Sequence, residues 1–187
     1  MTRDAILEAA AQAFRKKGFH GASMGDIAKA VQLQKASLYH HVSSKQEILV
    51  ELLDQALLLL TERISAIAQG PGTADQRLRE MIRAYLRALT EKPDLSSVML
   101  FEYRSLERKY RIRHQPHRDA FEEIWRGVIE EGVSSHTFRC DDVNMAARVL
   151  MGVLNWTLTW YRAEGPLTAE VIADQYASML LNGLLRR

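Results

Sequence analysis

A single cysteine, Cys140, in 187 residues rules out an internal disulfide, so packing alone must hold the fold, as suits a reducing compartment. Cys140 follows Arg139 and precedes two aspartates, a setting with no reason for an activated thiolate. It reads as structural or incidental. Long apolar runs are also missing. The longest, residues 56–60, is far short of the roughly 20 residues needed to cross a bilayer. No basic-then-apolar leader opens the chain, so neither export nor membrane insertion is expected, and the expected compartment is the cytoplasm. Prolines number only four, no internal repeat or low-complexity segment occurs, and no stretch sustains the alternation of a β-strand. The class expected is all-α.

Neither sign of charge dominates: 25 Lys/Arg against 23 Asp/Glu give +2. The distribution is uneven. Residues 1–50 hold seven basic and four acidic side chains, +3, and the remainder eighteen against nineteen, −1. A mild basic bias near the N-terminus fits phosphate contact. A hydrophobic content of 47% and a charged content of 26% are ordinary for a soluble globular chain, long enough for a small domain plus one real core.

The segment SMGDIAKAVQLQKASLYHHVSSK, residues 23–45, reads as a short helix, a four-residue turn and a second short helix. Ser23 can cap the first, with Asp26 three positions on as a short capping-box partner. Ile27, Ala28 and Val31 face inward, Leu33 lies in the turn, and Leu38 anchors the second helix. Ala28 and Ala36 are small where the two helices approach. Lys35, Ser37, Tyr39 and His40 are left for the outer faces, where they suit phosphates and base acceptors, and Gln34 can read an adenine edge. Such a pattern is a helix-turn-helix, which lays one helix in the DNA major groove. Ser44 and Glu47 form a second capping box, placing Lys45 in a first turn whose free N–H groups favour a phosphate. The candidate DNA-binding residues are therefore Ser23, Gln34, Lys35, Ser37, Tyr39, His40 and Lys45.

From Phe14-Arg15-Lys16-Lys17-Gly18-Phe19 through Ile27-Ala28, Leu38-Tyr39-His40-His41-Val42 and Lys45-Gln46-Glu47-Ile48-Leu49, the chain resembles the DNA-binding domain of the TetR family of transcriptional regulators. Two positions depart from that pattern. Gln32 stands where the family turn usually has glycine, and Gln34 where it has serine. If Gln32 takes a positive φ, the strain is on the order of 1 kcal/mol.

Downstream, punctuation divides the chain into about nine helices in all. The first spans about residues 3–17, burying Ile6, Ala10 and Phe14 and ending at Gly18. The helix opened by Ser44 runs to about Ala68, roughly 36 Å, and can join two domains. Gly70-Pro71-Gly72 stops it, and Thr73 with Gln76 caps the next. Pro93 starts another, residues 104–118 are basic and interrupted by Pro116, and a helix through Phe121 and Trp125 ends at Gly132. Asp141 or Asp142 begins a long helix to about Trp160, and Thr168 caps the last. The expected division is a helix-turn-helix domain, 1–46, and a ligand-binding and dimerisation domain, 47–187.

Catalysis is not expected. No nucleophile elbow or phosphate-binding glycine loop is present. His114 and His117 lie three apart, but Pro116 should break the helix aligning them, and no acidic residue sits at a set spacing. His40 and His41, about 100° apart on a helix, cannot share a ligand face. Neither a metal nor a cofactor is expected.

Apolar residues of the last two helices spread over more than one face, so burial on two sides is expected. Trp156, Trp160, Ile172, Tyr176, Met179 and Leu180 are candidates for a four-helix homodimer interface. A dimer also lets two motifs read successive half-sites of double-stranded operator DNA.

Asn155-Trp156, Trp160-Tyr161-Arg162, Gly165-Pro166-Leu167 and Ala173-Asp174-Gln175-Tyr176 are similar to a TetR branch that senses acyl-CoA thioesters. The segment from Glu131-Gly132 to Phe138-Arg139 is similar too, with His136 where a glycine is expected. This resemblance implies an apolar tunnel for an acyl chain and cations for CoA phosphates. Candidate ligand-binding residues are Tyr85, Leu89, Met99, Tyr103, Arg104, Trp125, Met151 and Asn155, with Arg108, Lys109, Arg111 and Arg113 as further phosphate partners. The implied function is a repressor released from its operator by a small effector. Two alternatives stay open: an efflux regulator sensing cationic drugs, and a helical thioester-binding protein that does not bind DNA.

Overall fold

A computed structural model describes residues 2–184. Their helices are α1 (Arg3–Gly21), α2 (Met24–Ala30), α3 (Lys35–Leu38), α4 (Lys45–Ala68), α5 (Ala74–Glu91), α6 (Pro93–Phe101), α7 (Arg108–Ser134), α8 (Val143–Trp160) and α9 (Ala169–Leu184), with a 3₁₀ turn at Tyr103–Ser105. The all-α expectation holds, with nine α-helices among the described residues. None is long and apolar enough to cross a membrane.

Contacts divide the chain into two compact units. One comprises Met1–Leu58 with Lys92–His117, the other Leu59–Glu91 with Arg118–Arg187. Helices α4 and α7 each contribute to both. In the first unit α1 packs on α6 and α2, and α2 on α3. Its core gathers Ile6, Phe14, Ile27, Leu38, Ile48 and Leu49 from the first four helices with Val98 and Leu106. In the second unit α5 packs against α9 and α8. It buries Leu78, Met81, Ile82, Tyr85, Leu86 and Leu89 along one face, the spacing of an amphipathic helix.

Capping explains most boundaries. Asp142 starts α8 by accepting from Met145 N at 3.0 Å, and Thr168 accepts from Val171 N at 3.3 Å to start α9. Thr73 and Gln76 form the expected reciprocal box. At α4 the box is displaced: Ser44 Oγ accepts from Glu47 N at 3.1 Å, but the Glu47 carboxylate returns to Ser43.

Three expected stops are not stops. Helix α1 passes Gly18 through a kink at φ 70° and continues to Gly21, because glycine takes a positive φ at little cost. Helix α7 runs unbroken through Pro116. An interior proline costs about 3 kcal/mol, and burial of His114 before it and of Phe121 and Trp125 after it offsets that loss. Gly132 lies inside α7 rather than ending it. The Phe138 ring lies over it so closely that a Cβ there would stand 2.1 Å from the ring. The chain reverses at His136, φ 59°, with Thr137 N and Phe138 N both donating to the Gly132 carbonyl.

Candidate DNA interface and effector site

The helix-turn-helix is built on a tight polar cap. Ser23 Oγ accepts from Asp26 N at 3.1 Å while the Asp26 carboxylate accepts from Ser23 N at 2.9 Å. Lys17 Nζ donates to the same carboxylate at 2.6 Å. The Lys17 hydrogen bond, then those of Ser23, hold the Asp26 carboxyl well below the usual carboxylate range. Ser23 is thus occupied by the cap. In the turn Gln32 has φ 56°, the strained conformation expected where the glycine is replaced.

Helix α3 is short and rests on Leu38, fully buried. Gln34 precedes it without a side-chain capping bond. Gln34, Lys35, Tyr39 and His40 are exposed and Ser37 is half-buried. Ala36, expected at the close approach of two helices, is exposed instead, and only Ala28 is buried. Lys45 does not project outward. Its ammonium donates to the carbonyls of Phe19 and Ala22, both at 2.7 Å, and lies 4.5 Å from the Phe19 ring centroid.

Around this motif, distant residues fix the start of α4. Arg3 pairs with Glu51 at 2.5 Å and also donates to the His41 carbonyl. Gln46 makes two bonds to the segment before α7, donating to Ser105 O at 2.8 Å and accepting from Glu107 N at 3.0 Å. Asp54 meets α7 by accepting from His114 Nδ1 at 2.6 Å, and Arg113 pairs with its other oxygen at 3.3 Å. Partners some 60 residues away leave no local pattern, so the sequence marked neither Gln46 nor Asp54.

The candidate effector residues fall in both units. Met99, Tyr103 and Arg104 lie in the first, where Met99 and Tyr103 pack on the helix-turn-helix core. Tyr85, Leu89, Trp125, Met151 and Asn155 lie in the second. There Tyr85 Oη donates to Asn155 Oδ1 at 2.6 Å. The Tyr85 ring stands edge-on to Trp125 at 5.7 Å and stacks on Phe121 at 6.0 Å. Burial pushes the Tyr85 phenol far above its ordinary pKa, so it is a neutral donor. Leu89 is buried and Met151 half-buried. The fully buried Trp125 indole N–H finds no acceptor among the described residues. Of the basic candidates, Arg111 donates to Leu106 O at 2.8 Å, and Lys109 and Arg113 lie against the Tyr110 ring. Arg104 and Arg108 are exposed.

On α8 and α9, Trp156, Trp160 and Met179 are exposed, at 67%, 42% and 74%, and Tyr176 and Leu180 are half-buried. Ile172 is only 2% exposed. It is buried with Ala173, Ala177 and Leu181 of α9, the helix that packs against α5.

Comparison with known proteins fits this arrangement. Residues 6–52 match the family described as bacterial regulatory proteins, tetR family, and residues 71–184 match the tetracyclin repressor-like C-terminal domain. The HTH-type transcriptional repressor KstR2 of Rhodococcus jostii is 30% identical over 184 residues, covering 97% of this chain and 90% of that protein. The crystal structure of PfmR, a TetR family regulator from Thermus thermophilus, is 36% identical with a TM-score of 0.88, covering 97% and 99% of the two chains. That of AibR in complex with isovaleryl coenzyme A and operator DNA is 27% identical with a TM-score of 0.89, covering 96% and 97%.

Proposed function

Because the chain belongs to the TetR family of transcriptional regulators, we propose that it is a cytoplasmic, homodimeric repressor that leaves its operator when an acyl-CoA thioester binds. It is a regulator, not an enzyme. Residues 1–46 are assigned to DNA binding and 47–187 to effector binding and dimerisation. The observation that carries the effector reading is the buried Tyr85 and Trp125 pair with half-buried Asn155, a group with a paired phenol and an unpaired indole N–H. A buried donor without an acceptor costs free energy, and a thioester carbonyl is an acceptor. AibR, similar along nearly its whole length, was solved with an acyl-CoA and operator DNA together.

Gln34, Lys35, Ser37, Tyr39 and His40 then form the operator surface, Lys35 for phosphate and Gln34 for a base edge. Ser23 and Lys45 brace that surface. For the dimer, Met145, Val149, Trp156 and Trp160 are exposed along α8 at intervals that repeat on one helical face, with Gly152 between them and Met179 exposed on α9. Such a stripe suits a four-helix interface. The effector must favour a conformation in which the paired α3 helices no longer match successive major grooves.

The test is the thermal stability of the purified protein against CoA thioesters, the matching free acids, cationic drugs and CoA alone. An upward shift with one thioester class is expected, since a ligand of the native state stabilises it by mass action. A shift with cations and none with any thioester overturns the effector assignment.

A further inference from the structure

A second cluster lies within the first unit, beside the candidate effector residue Tyr103, whose ring centroid is 5.8 Å from that of His114. Asp54 on α4 faces His114 and His117 on α7, and one ligand atom from each lies within 4.8 Å of the other two. We propose that these three residues bind one divalent transition-metal ion, zinc being the representative case, and so clip α7 to α4.

The argument starts from α7 being continuous through Pro116. That continuity puts His114 and His117, three residues apart, on one helical face. Both Nδ1 atoms approach the same oxygen, Asp54 Oδ1, His114 at 2.6 Å and His117 at 3.4 Å. Arg113 is at the other oxygen, Oδ2, which leaves Oδ1 directed at the imidazoles. Two imidazoles and one carboxylate are the donors that zinc, iron and nickel take in three-ligand sites, with remaining positions filled by water. Calcium and magnesium prefer all-oxygen sets. Tetrahedral donors at zinc stand roughly 3.3 Å apart. The Asp54–His117 separation already matches, and the Asp54–His114 hydrogen bond must open by about 0.7 Å.

Access is also provided. The His114 side chain is 3% exposed and that of His117 57%, so the cluster has a dry inner wall and a wet mouth. In the metal-free state, the Asp54–His114 hydrogen bond satisfies the buried ring. The ion exchanges that bond for coordination, and ties α7 to α4 nine residues after α4 begins.

The experiment uses the full-length, tag-free protein stripped with a chelator and then titrated with cobalt(II), followed by its visible d–d bands, and with zinc by calorimetry. One ion per chain is expected, with binding weakened at least tenfold in His117→Ala, whose exposed side chain makes that variant safe for folding. His136→Ala, outside the cluster, should bind as the parent does. A zinc-dependent rise in melting temperature should appear in the parent and be lost in His117→Ala. The absence of d–d bands, or equal affinity in His117→Ala, overturns the proposal and leaves Asp54–His114 as a structural hydrogen bond. Neither DNA nor acyl-CoA enters the measurement, so its outcome is separate from that of the proposed function.

Discussion

Tyr85 on α5 and Asn155 on α8 are joined by a 2.6 Å hydrogen bond at the edge of the Phe121–Trp125 aromatic cluster. The bond fixes α8, which carries the proposed dimer stripe, to the helix that buries the aromatic core. Tyr85→Phe keeps the ring and removes the donor. It is expected to cost about 0.5–1.5 kcal/mol in urea denaturation and to reduce the thioester-induced thermal shift. If Tyr85→Phe melts and responds as the parent does, this pair has no part in effector binding.

The turn before α3 carries strain that glycine relieves. Gln32 sits at φ 56°, so Gln32→Gly is expected to stabilise the protein by about 1 kcal/mol. His136, at φ 59°, should behave in the same way. The comparison is of urea midpoints at unchanged slope, and a loss of stability in Gln32→Gly would contradict the strain assignment.

Operator binding should separate side chains that touch DNA from side chains that brace the motif. Lys35→Ala is expected to weaken binding to all sequences and to lower the slope of log affinity against log salt by about one. Gln34→Ala should instead relax preference at one base pair, by roughly 1–3 kcal/mol. Fluorescence anisotropy across a salt series reads both.

Acid should loosen the motif through its caps. Hydrogen bonds from Lys17 and Ser23 lower the Asp26 pKa, and bonds from Ser43 lower that of Glu47. A carboxyl with a depressed folded-state pKa contributes stability above its unfolded value, about 4, and loses it as pH falls through the folded one. Stability should therefore decline below about pH 4–5, and Asp26→Asn should remove part of that decline while being less stable at neutral pH. Urea midpoints from about pH 7 to about pH 3 test the sign.

Most of the fold was legible because its signals are local. Ser23, Thr73, Asp142 and Thr168 cap the helices they were expected to cap, and apolar spacing marked the inward faces. Gln32 and His136, the two positions where glycine was expected, are the non-glycine residues found at positive φ among those described. The misreadings share a cause. Pro116 and Gly132 are helix breakers by propensity, but α7 is held by burial on either side of the proline and by Phe138 packing on the glycine. The Lys45 contacts to the Phe19 and Ala22 carbonyls, 26 and 23 residues away, leave no local signal either. Ile172 shares its apolar character with the dimer candidates, and only the fold shows that it is buried within the chain. Asp54 and His114 are 60 residues apart, so no spacing rule could pair them.

The central claim is that effector and operator compete through the protein's conformation. The direct test is operator affinity, by fluorescence anisotropy at fixed salt, with and without a saturating acyl-CoA that raises the melting temperature. Typical couplings of about 1–3 kcal/mol predict a 5–150-fold loss of affinity, smaller in Tyr85→Phe. An operator affinity unchanged by an acyl-CoA that demonstrably binds would contradict the account.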